Sequence, residues 1–352
     1  MNREFLFDCL RFHGLTHDSR LTPHEFPAFH NLLRTFVLYI YMQAIVNVQG
    51  LTKQFKNLTA VQDLSFSVNE GDVYGFLGQN GAGKSTTIRM LATLISPTAG
   101  SIEIFGKKLE THRNEILREV GAVIEKPDVY KYLSAYENLK LFARLSGVKI
   151  THEKLMQQLD QVGLASRAKD TVKTFSQGMK QRLGIAIALV HDPKLIILDE
   201  PTNGLDPQGI ADIRNLILHL SRDLKKTLIV SSHLLSEIEQ VATRVLIIDK
   251  GKKIIEGNAE ELFDPAQTIV ELQTFDNVYA LEQLQLSAWN THLQRQRDTA
   301  ILIKLDRQLI SQLHRDLVDM DIQVLSLQPR HSLEDYFLQV TSGNQHVDTY
   351  SN

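Results

Sequence analysis

Cysteine is nearly absent from this 352-residue sequence, in which Cys9 is the single example. One cysteine excludes a disulfide framework and a cysteine-based zinc site within the chain, and it fits a reducing compartment. Long apolar runs are lacking too, because the best candidate, residues 35–42, is far shorter than the ~20 residues that cross a bilayer. The first forty residues also lack the pattern of a secretory signal. We therefore expect any membrane role to depend on docking to a partner.

An excess of either charge is also lacking. The sequence has 38 Lys and Arg against 41 Asp and Glu, a formal net charge of −3. This balance argues against attraction of the whole protein to nucleic acid, so no nucleic-acid partner is expected. A chain of this length predicts one large domain and one smaller domain.

The pattern along the chain predicts four segments. Residues 1–42 carry mixed charge and no long periodic stretch, so they are either a mis-assigned extension before a true start at Met42 or a short amphipathic docking segment. Residues 43–265 alternate strand, loop and helix, with a helical insertion at about 128–190. Residues 266–341 predict a small α+β accessory domain, and residues 342–352 predict a disordered tail.

Apolar runs within residues 43–265 predict the buried strands of a mostly parallel α/β sheet. These runs are residues 44–48, Val73–Leu77, Leu195–Leu198, residues 227–230 and residues 245–248.

In the accessory segment, similar runs at 269–272, Ile301–Leu305 and 322–327 predict further strands. Asp306 is expected to cap a helix, and Ser332 and Asp335 have the spacing of a capping box.

The segment from Gly78 to Ser85 reads GQNGAGKS and matches the phosphate-binding pattern G-x-x-x-x-G-K-[ST]. An apolar strand precedes it and a helix is predicted after it at 85–94, so backbone N–H groups and the helix dipole would both face the phosphates. We expect Lys84 to reach the β- and γ-phosphates and the Ser85 hydroxyl to bind Mg²⁺. The nucleotide-binding residues predicted here are Gly78, Gln79, Asn80, Gly81, Ala82, Gly83, Lys84, Ser85 and Thr86.

Two adjacent carboxylates, Asp199 and Glu200, end a later apolar strand. Asp199 would lie beside the Mg²⁺ site, and Glu200 would orient or deprotonate an attacking water. Taken alone, such a pair could instead be a helix cap or a surface turn.

Upstream of that pair the chain reads FSQGMKQR, from Phe175 to Arg182. Ser176 would cap a helix whose free N–H groups, with Gly178, bind a phosphate. Together with the preceding motifs, this segment resembles the signature of the ABC (ATP-binding cassette) ATPases. The resemblance extends over about residues 44–262 and implies a phosphate-loop cassette with a mostly parallel sheet, an antiparallel β subdomain and a helical subdomain.

The resemblance also assigns roles to scattered residues. Asp206 matches the D-loop, and His233 matches the switch histidine that contacts the γ-phosphate. Phe55 matches the aromatic residue that stacks on adenine, with Val61 packed beside it. The implied activity is hydrolysis of ATP with Mg²⁺ by attack of water on the γ-phosphate.

Members of this family act as head-to-tail pairs of cassettes that close on two ATP molecules. The resemblance therefore implies a homodimer in which Ser176 and Gly178 of one subunit face the phosphate loop of the other, so isolated protein should be a weak ATPase. It further implies a separate integral-membrane permease that contacts the transported substrate, and a cytoplasmic location on the inner face of the cell membrane.

Glu125 departs from the usual family pattern, which has glutamine after this strand. A glutamate here resembles the bacitracin- and lantibiotic-resistance branch of ABC ATPases. Its carboxylate could bind Mg²⁺ or water as the glutamine carbonyl does, while adding negative charge near the phosphates. We predict that Glu125 contributes to catalysis, to metal binding and to coupling. The next segment, residues 133–139, resembles the groove for the permease's coupling helix, or its apolar residues are simply core.

The C-terminal segment from residue 327 resembles the ending of single-cassette bacterial ABC-2-type exporter ATPases, which implies a role in dimer contact or regulation. An importer ATPase is one alternative. A translation or DNA-repair ABC protein is another, but it is disfavoured by the single cassette and by the short interval between Lys84 and Asp199. The signature and Phe55 disfavour a GTPase. The transported substrate is not encoded in this subunit.

Overall fold

The computed structural model describes residues 44–263, 268–294 and 300–331. The predicted N-terminal extension, the capping box beginning at Ser332 and the predicted tail lie outside these residues. Within the described residues, no helix combines the length and apolar character needed to cross a bilayer.

The strands are numbered in chain order. They are β1 Ala44–Phe55, β2 Leu58–Asn69, β3 Val73–Leu77, β4 Ala99–Ile104, β5 Lys107–Lys108, β6 Val120–Val123, β7 Leu195–Leu198, β8 Thr227–Ser232, β9 Arg244–Asp249, β10 Lys252–Asn258, β11 Thr268–Thr274, β12 Ile301–Leu305 and β13 Val324–His331.

The α-helices are numbered in the same way. They are α1 Lys84–Leu91, α2 Leu109–Leu117, α3 Ala135–Leu145, α4 His152–Gln161, α5 Gln177–Ala188, α6 Pro207–Arg222, α7 Leu235–Glu239, α8 Ala259–Leu262, α9 Asn277–Leu286 and α10 Ile310–Asp319.

A six-stranded sheet in the order β10-β9-β3-β8-β7-β6 forms the centre of the fold. The pairs β3–β8, β3–β9, β7–β8 and β6–β7 are parallel, and β10 is antiparallel to β9. Parallel strands end at the same edge of a sheet, so the loops after β3, β6, β7 and β8 converge there. These loops carry the predicted phosphate loop, Glu125, the acidic pair and His233.

Both faces of this sheet are buried, which explains why its strands appear as continuous apolar runs. In β7, Ile196 and Leu198 pack with the helices α3, α5 and α6, while Leu195 and Ile197 pack on the opposite side. That second core is closed by α1 and by an antiparallel sheet in the order β2-β1-β4-β5. The predicted α/β architecture, including its antiparallel and helical parts, is confirmed.

The helical part packs very closely on the loop after β6. A Cβ atom added at Gly184 in α5 would lie 2.6 Å from side-chain atoms of Pro127. Contacts this short are not tolerated, so glycine at this position allows the loop and the helix to touch.

A third sheet, in the order β12-β11-β13, has its own core with α9 and α10. The bounds of β12 match the prediction. The strand predicted at 322–327 is instead Val324–His331, because β13 is an edge strand and so tolerates Pro329. The helix expected after Asp306 begins as a 3₁₀ turn, with Asp306 Oδ1 accepting the Gln308 N–H at 2.9 Å. Division of residues 43–265 and 266–341 into separate domains stays a prediction.

Two further predicted bounds were wrong. The strand predicted at 44–48 extends to Phe55, because the register shift between Val48 and Leu51 absorbs Gly50 while pairing with β2 continues. The helix predicted at 85–94 ends at Leu91, and Thr93 adopts a left-handed φ of 60°, which a helix cannot contain.

Candidate nucleotide-hydrolysis site

The converging strand ends line a cleft of about 900 Å³. Its lining residues are Leu58, Thr59, Ala60, Gln79, Asn80, Gly81, Gly83, Lys84, Ser85, Thr86, Glu125, Lys126, Gln177, Gln181, Asp199, Glu200, Asn203, Gly204 and Lys250.

The predicted phosphate loop curls between β3 and α1. Gly83 has a φ of 106°, and a Cβ atom there would lie 2.6 Å from the carbonyl oxygen of Ala60, so this position requires glycine. Gly83 is also the N-cap of α1, and among the described residues no side-chain hydrogen bond caps this end. The first N–H groups of α1 therefore remain suited to binding an anion.

The strand beneath the loop is held by a buried tyrosine. The Tyr74 hydroxyl donates to Glu256 Oε1 at 2.8 Å, and the Arg244 guanidinium lies 5.5 Å from the centre of the Tyr74 ring. Burial, followed by the nearby Glu256 carboxylate, raises the pKa of Tyr74. The phenol therefore stays protonated and keeps donating this bond at physiological pH.

Lys84 is 5% exposed and points along the loop. Its Nζ donates to the carbonyl oxygen of Gly78 at 2.7 Å and forms an ion pair with Glu200 Oε1 at 3.0 Å. A buried ammonium between carbonyl oxygens and a carboxylate is a fixed positive charge at the floor of the cleft.

Asp199 is 1% exposed and links the end of β7 to β8 and to α1. Its Oδ1 accepts the Ser231 hydroxyl from β8 at 2.6 Å and the Ser85 hydroxyl from α1 at 3.3 Å. Ser85 and Asp199, predicted as magnesium ligands, are thus brought together. Ser231 was not predicted as a site residue, although it directly follows the predicted strand at 227–230.

Glu200 follows immediately with a φ of 49°, an unusual value for a residue other than glycine. Its backbone N–H donates to Ser231 Oγ at 2.9 Å, and its Oε2 lies 2.6 Å from His233 Nδ1. Glu200, Lys84 and His233 therefore form one contact group. Strained backbone held by several bonds is common at catalytic positions.

Glu125 lies on the other side of the cleft and also has a left-handed φ, 60°. Its side chain is 60% exposed and forms an ion pair with Arg89 of α1. To contact a metal or water as predicted, this carboxylate has to leave Arg89.

The predicted adenine residues lie in the β1–β2 hairpin. Phe55 is 44% exposed and Lys53 Nζ lies 5.0 Å from the centre of its ring, while Leu58, Thr59 and Ala60 line the neighbouring part of the cleft. Val61 is fully buried, and its Cγ2 lies 3.4 Å from the Cβ position of Gly83. Val61 is thus placed as core beneath the phosphate loop.

The signature residues Ser176 and Gly178 do not line this cleft. Ser176 caps α5, because its Oγ accepts the Met179 N–H at 3.2 Å. Asp206 caps α6 and accepts the Gly209 N–H at 3.0 Å. Both side chains are therefore helix caps in the single chain.

Two glutamines of α5, Gln177 and Gln181, line the cleft although they were not predicted. Gln181 is 4% exposed, and its Nε2 atom has no hydrogen-bond partner among the described residues. Helical spacing alone could have placed Gln181 one turn after Gln177 on the same face.

The arrangement unites an uncapped helix N-terminus, a buried lysine, a hydroxyl–carboxylate pair and a carboxylate bonded to histidine. Such a site binds a nucleoside triphosphate and activates water, so the fold and site define a phosphate-loop nucleotide hydrolase.

Comparison with known proteins narrows this class. The family description "ABC transporter" matches residues 61–203. The bacitracin transport ATP-binding protein BcrA of Bacillus licheniformis is 42% identical over 309 residues, covering 86% of this chain and 99% of its own length. The lantibiotic transport ATP-binding protein SrtF of Streptococcus pyogenes is 43% identical over 226 residues, covering 62% of this chain and 96% of its own length.

The solved structures to which this chain is similar are also ATP-binding cassettes. A dimeric ATP-binding cassette in a post-hydrolysis state with ADP and Pi has a TM-score of 0.56 at 25% identity, covering 61% of this chain and 98% of that one. A second solved structure, the ATP-binding subunit of an ABC transporter, has a TM-score of 0.56 at 29% identity and covers 62% of this chain and 91% of that one. The chain belongs to the family of ABC transporter ATP-binding subunits, and it is a nucleotide-binding transport ATPase that serves a membrane permease.

Proposed function

We propose that this chain energises export through its permease by closing as a homodimer on two molecules of ATP with Mg²⁺. The observation that carries this proposal is the division of the site. Lys84, Asp199 and Glu200 line the cleft of one chain, while Ser176 and Gly178 do not. A head-to-tail partner would supply its own α5 N-terminus to the exposed phosphates, and a solved ATP-binding cassette to which this chain is similar is dimeric with ADP and Pi bound.

The residues beside the phosphate loop fit a magnesium ion. Ser85 Oγ and Asp199 Oδ1 lie 3.3 Å apart, and a hydroxyl and a carboxylate are oxygen ligands that Mg²⁺ accepts together with water and phosphate. We assign these two as ligands and Glu125 as a further contact. When bound, the ion would neutralise charge on the phosphate oxygens.

Glu200 is proposed as the general base. Its carboxylate contacts Lys84 and His233 at 3.0 and 2.6 Å. Binding of ATP would transfer Lys84 from this carboxylate to the phosphates, which frees one carboxylate oxygen to orient the attacking water. His233 would hold the other oxygen and contact the γ-phosphate, and the uncapped N–H groups of α1 would stabilise the developing charge.

The exposed ring of Phe55 is proposed to stack on adenine. The remaining phosphate-loop residues, from Gly78 to Thr86, would contact the nucleotide through the backbone. Asp206 would act at the dimer seam through the loop that precedes α6.

The permease is proposed to contact the side of the cassette that carries Glu125. Segment 133–139 offers little apolar surface for this, because Ala135 and Leu139 are fully buried as core. Tyr130 and Tyr132 are 54% and 85% exposed just before it. The chain would then sit in the cytoplasm, peripheral on the inner face of the cell membrane, and the accessory sheet would serve dimer contact or regulation.

We infer that the cargo is a peptide antibiotic and that the direction is export. This inference draws on the relatives named for bacitracin and lantibiotic transport and on Glu125. The cargo would contact the permease and not this chain.

The test is the substitution Glu200→Gln in the full chain. General-base catalysis contributes about 10²–10⁴-fold, so ATP turnover should fall by at least about a hundredfold. Light scattering after size-exclusion chromatography should show a dimer with Mg²⁺ and ATP, and a monomer without them. Glu260→Gln, an exposed carboxylate on α8, is the matched control and should turn over like wild type.

Turnover near the wild-type rate in Glu200→Gln would contradict the assignment of the base. A nucleotide-trapped form in which one subunit encloses ATP, with Ser176 far from any phosphate, would contradict the dimer.

A further inference from the structure

Glu237 connects the two loops that carry the proposed catalytic residues. It lies in α7, shortly after His233. Its Oε2 atom accepts the Thr202 hydroxyl at 2.7 Å and the Ser232 hydroxyl at 2.6 Å. One carboxylate oxygen thus holds a residue that follows Glu200 and a residue that precedes His233.

The first bond fixes the turn after Glu200. Thr202 is 9% exposed, and its carbonyl oxygen accepts the Leu205 N–H at 3.2 Å. The Asn203 N–H donates to the carbonyl oxygen of Glu200 at 3.1 Å, so the turn closes on the catalytic residue itself. Thr202 ties this turn to α7 through Glu237.

The second bond fixes the loop that carries His233. Ser232 is 2% exposed, and its Oγ donates to Glu237 and accepts the Leu234 N–H at 3.0 Å. The residues on both sides of His233 are therefore held by one hydroxyl, and Glu237 determines where that hydroxyl lies.

Such restraint matters because Glu200 has a left-handed φ. Strained conformations persist only where the surroundings over-determine them. Ser231 holds the backbone N–H of Glu200 from one side, at 2.9 Å. Glu237 supplies the restraint on the other side, two residues further along the chain.

We propose that Glu237 is a positioning residue, which keeps the turn after Glu200 and the His233 loop in register for hydrolysis. The inference rests on the proposed roles of Glu200 and His233. Glu237 acts through two hydroxyl groups and contacts no reacting atom.

This role requires an acceptor and not a negative charge. The carbonyl oxygen of glutamine can accept both hydroxyls, whereas leucine has a similar size but accepts neither. Glu237→Gln should therefore retain function and Glu237→Leu should lose it.

The experiment measures steady-state ATP turnover and ATP affinity in full-length variants. Because a small misplacement of reacting groups costs as much as 10²-fold, kcat of Glu237→Leu should fall by about tenfold or more, with the dissociation constant for ATP within about twofold of wild type. Glu237→Gln should recover most of the rate. The double variant Thr202→Val, Ser232→Ala should reproduce Glu237→Leu while leaving the carboxylate in place, and it decides the matter if Glu237→Leu does not fold.

Wild-type kcat in Glu237→Leu or in the double variant would overturn the proposal, as would a Glu237→Gln variant as slow as Glu237→Leu. A parallel assay of Glu200→Gln distinguishes failure of the proposed general base from failure of the positioning role of Glu237. If Glu200→Gln keeps its turnover, the proposed base is wrong. If Glu200→Gln is inactive while Glu237→Leu is fast, only the positioning role fails.

Discussion

Asn138 is the residue whose replacement tests most directly how the loop after Glu125 is held. It is fully buried in α3. Its Oδ1 accepts the Tyr130 N–H at 2.8 Å, and its Nδ2 donates to the carbonyl oxygens of Tyr130 and Ser134 at 3.0 and 2.9 Å. One side chain thus bonds to three backbone groups of the loop that presents Tyr130 and Tyr132, and the two carbonyl oxygens also accept the N–H groups of Leu133 and Asn138.

The substitution Asn138→Ala removes all three bonds. A hydrogen bond contributes about 1 kcal/mol net, and a buried group left without a partner costs about 1–3 kcal/mol. Because Tyr130 is 54% exposed, water can reach part of the loop, so we expect a loss of about 3 kcal/mol and not more. Asn138→Asp should be no milder, since it would place a carboxylate against two carbonyl oxygens.

Thermal unfolding and amide hydrogen exchange provide the measurement. A loss of this size lowers Tm by about 6–12 °C in a domain of 150–250 residues. The Tyr130 amide should exchange faster in Asn138→Ala, which removes its acceptor. Lys140→Ala, on the exposed face of the same helix, is the control. The reasoning is refuted if Asn138→Ala has the same Tm as Lys140→Ala and the Tyr130 amide exchanges as slowly as in the wild type.

Three further predictions follow from other contacts. Glu125→Ala should uncouple transport in the permease complex more than it weakens ATP binding, and equal losses of both would contradict a coupling role. Leu272→Ala in the centre of the accessory sheet should cost about 2–5 kcal/mol in unfolding experiments. ATP affinity should be unchanged if residues 266–341 are a separate domain, and a parallel fall would argue against that division. The Ser134 backbone N–H and hydroxyl hold the pKa of Glu137 below its ordinary 4.5. This cap therefore contributes fully above about pH 4.5 and is lost as pH falls through the depressed pKa, so Glu137→Gln should flatten the change of Tm below pH 4.5.

The central sheet could be predicted because its strands are buried on both faces. Continuous apolar runs such as Leu195–Leu198 then coincide with the strands themselves. The phosphate loop could be predicted equally well, because glycine, lysine and serine at that spacing are rarely found together for another reason. The predicted bounds were wrong at Gly50 and Thr93. A register shift lets β1 continue past Gly50, and the left-handed backbone at Thr93 lies beyond the end of α1. The local sequence indicated neither change.

The supporting contacts of the site could not be predicted from sequence. Ser231 reaches Asp199 from 32 positions away, and Glu237 reaches Thr202 from 35. Bonds of this kind depend on which strands become neighbours in the sheet, and local pattern carries no information about that. The residues proposed to be catalytic could be recognised in the sequence, whereas the side chains that hold them could be identified only from the folded structure.

The contact between Gly184 and Pro127 joins α5 to the loop that carries Glu125 through one shared surface. Pro127 follows Glu125 by two positions, and Gly184 lies two turns into the helix that Ser176 begins. Because there is no space between them, the loop cannot swing toward the helix without pushing it. In the proposed dimer, a displacement of the loop that carries Glu125 would therefore be passed to α5 and to its N-terminus at Ser176.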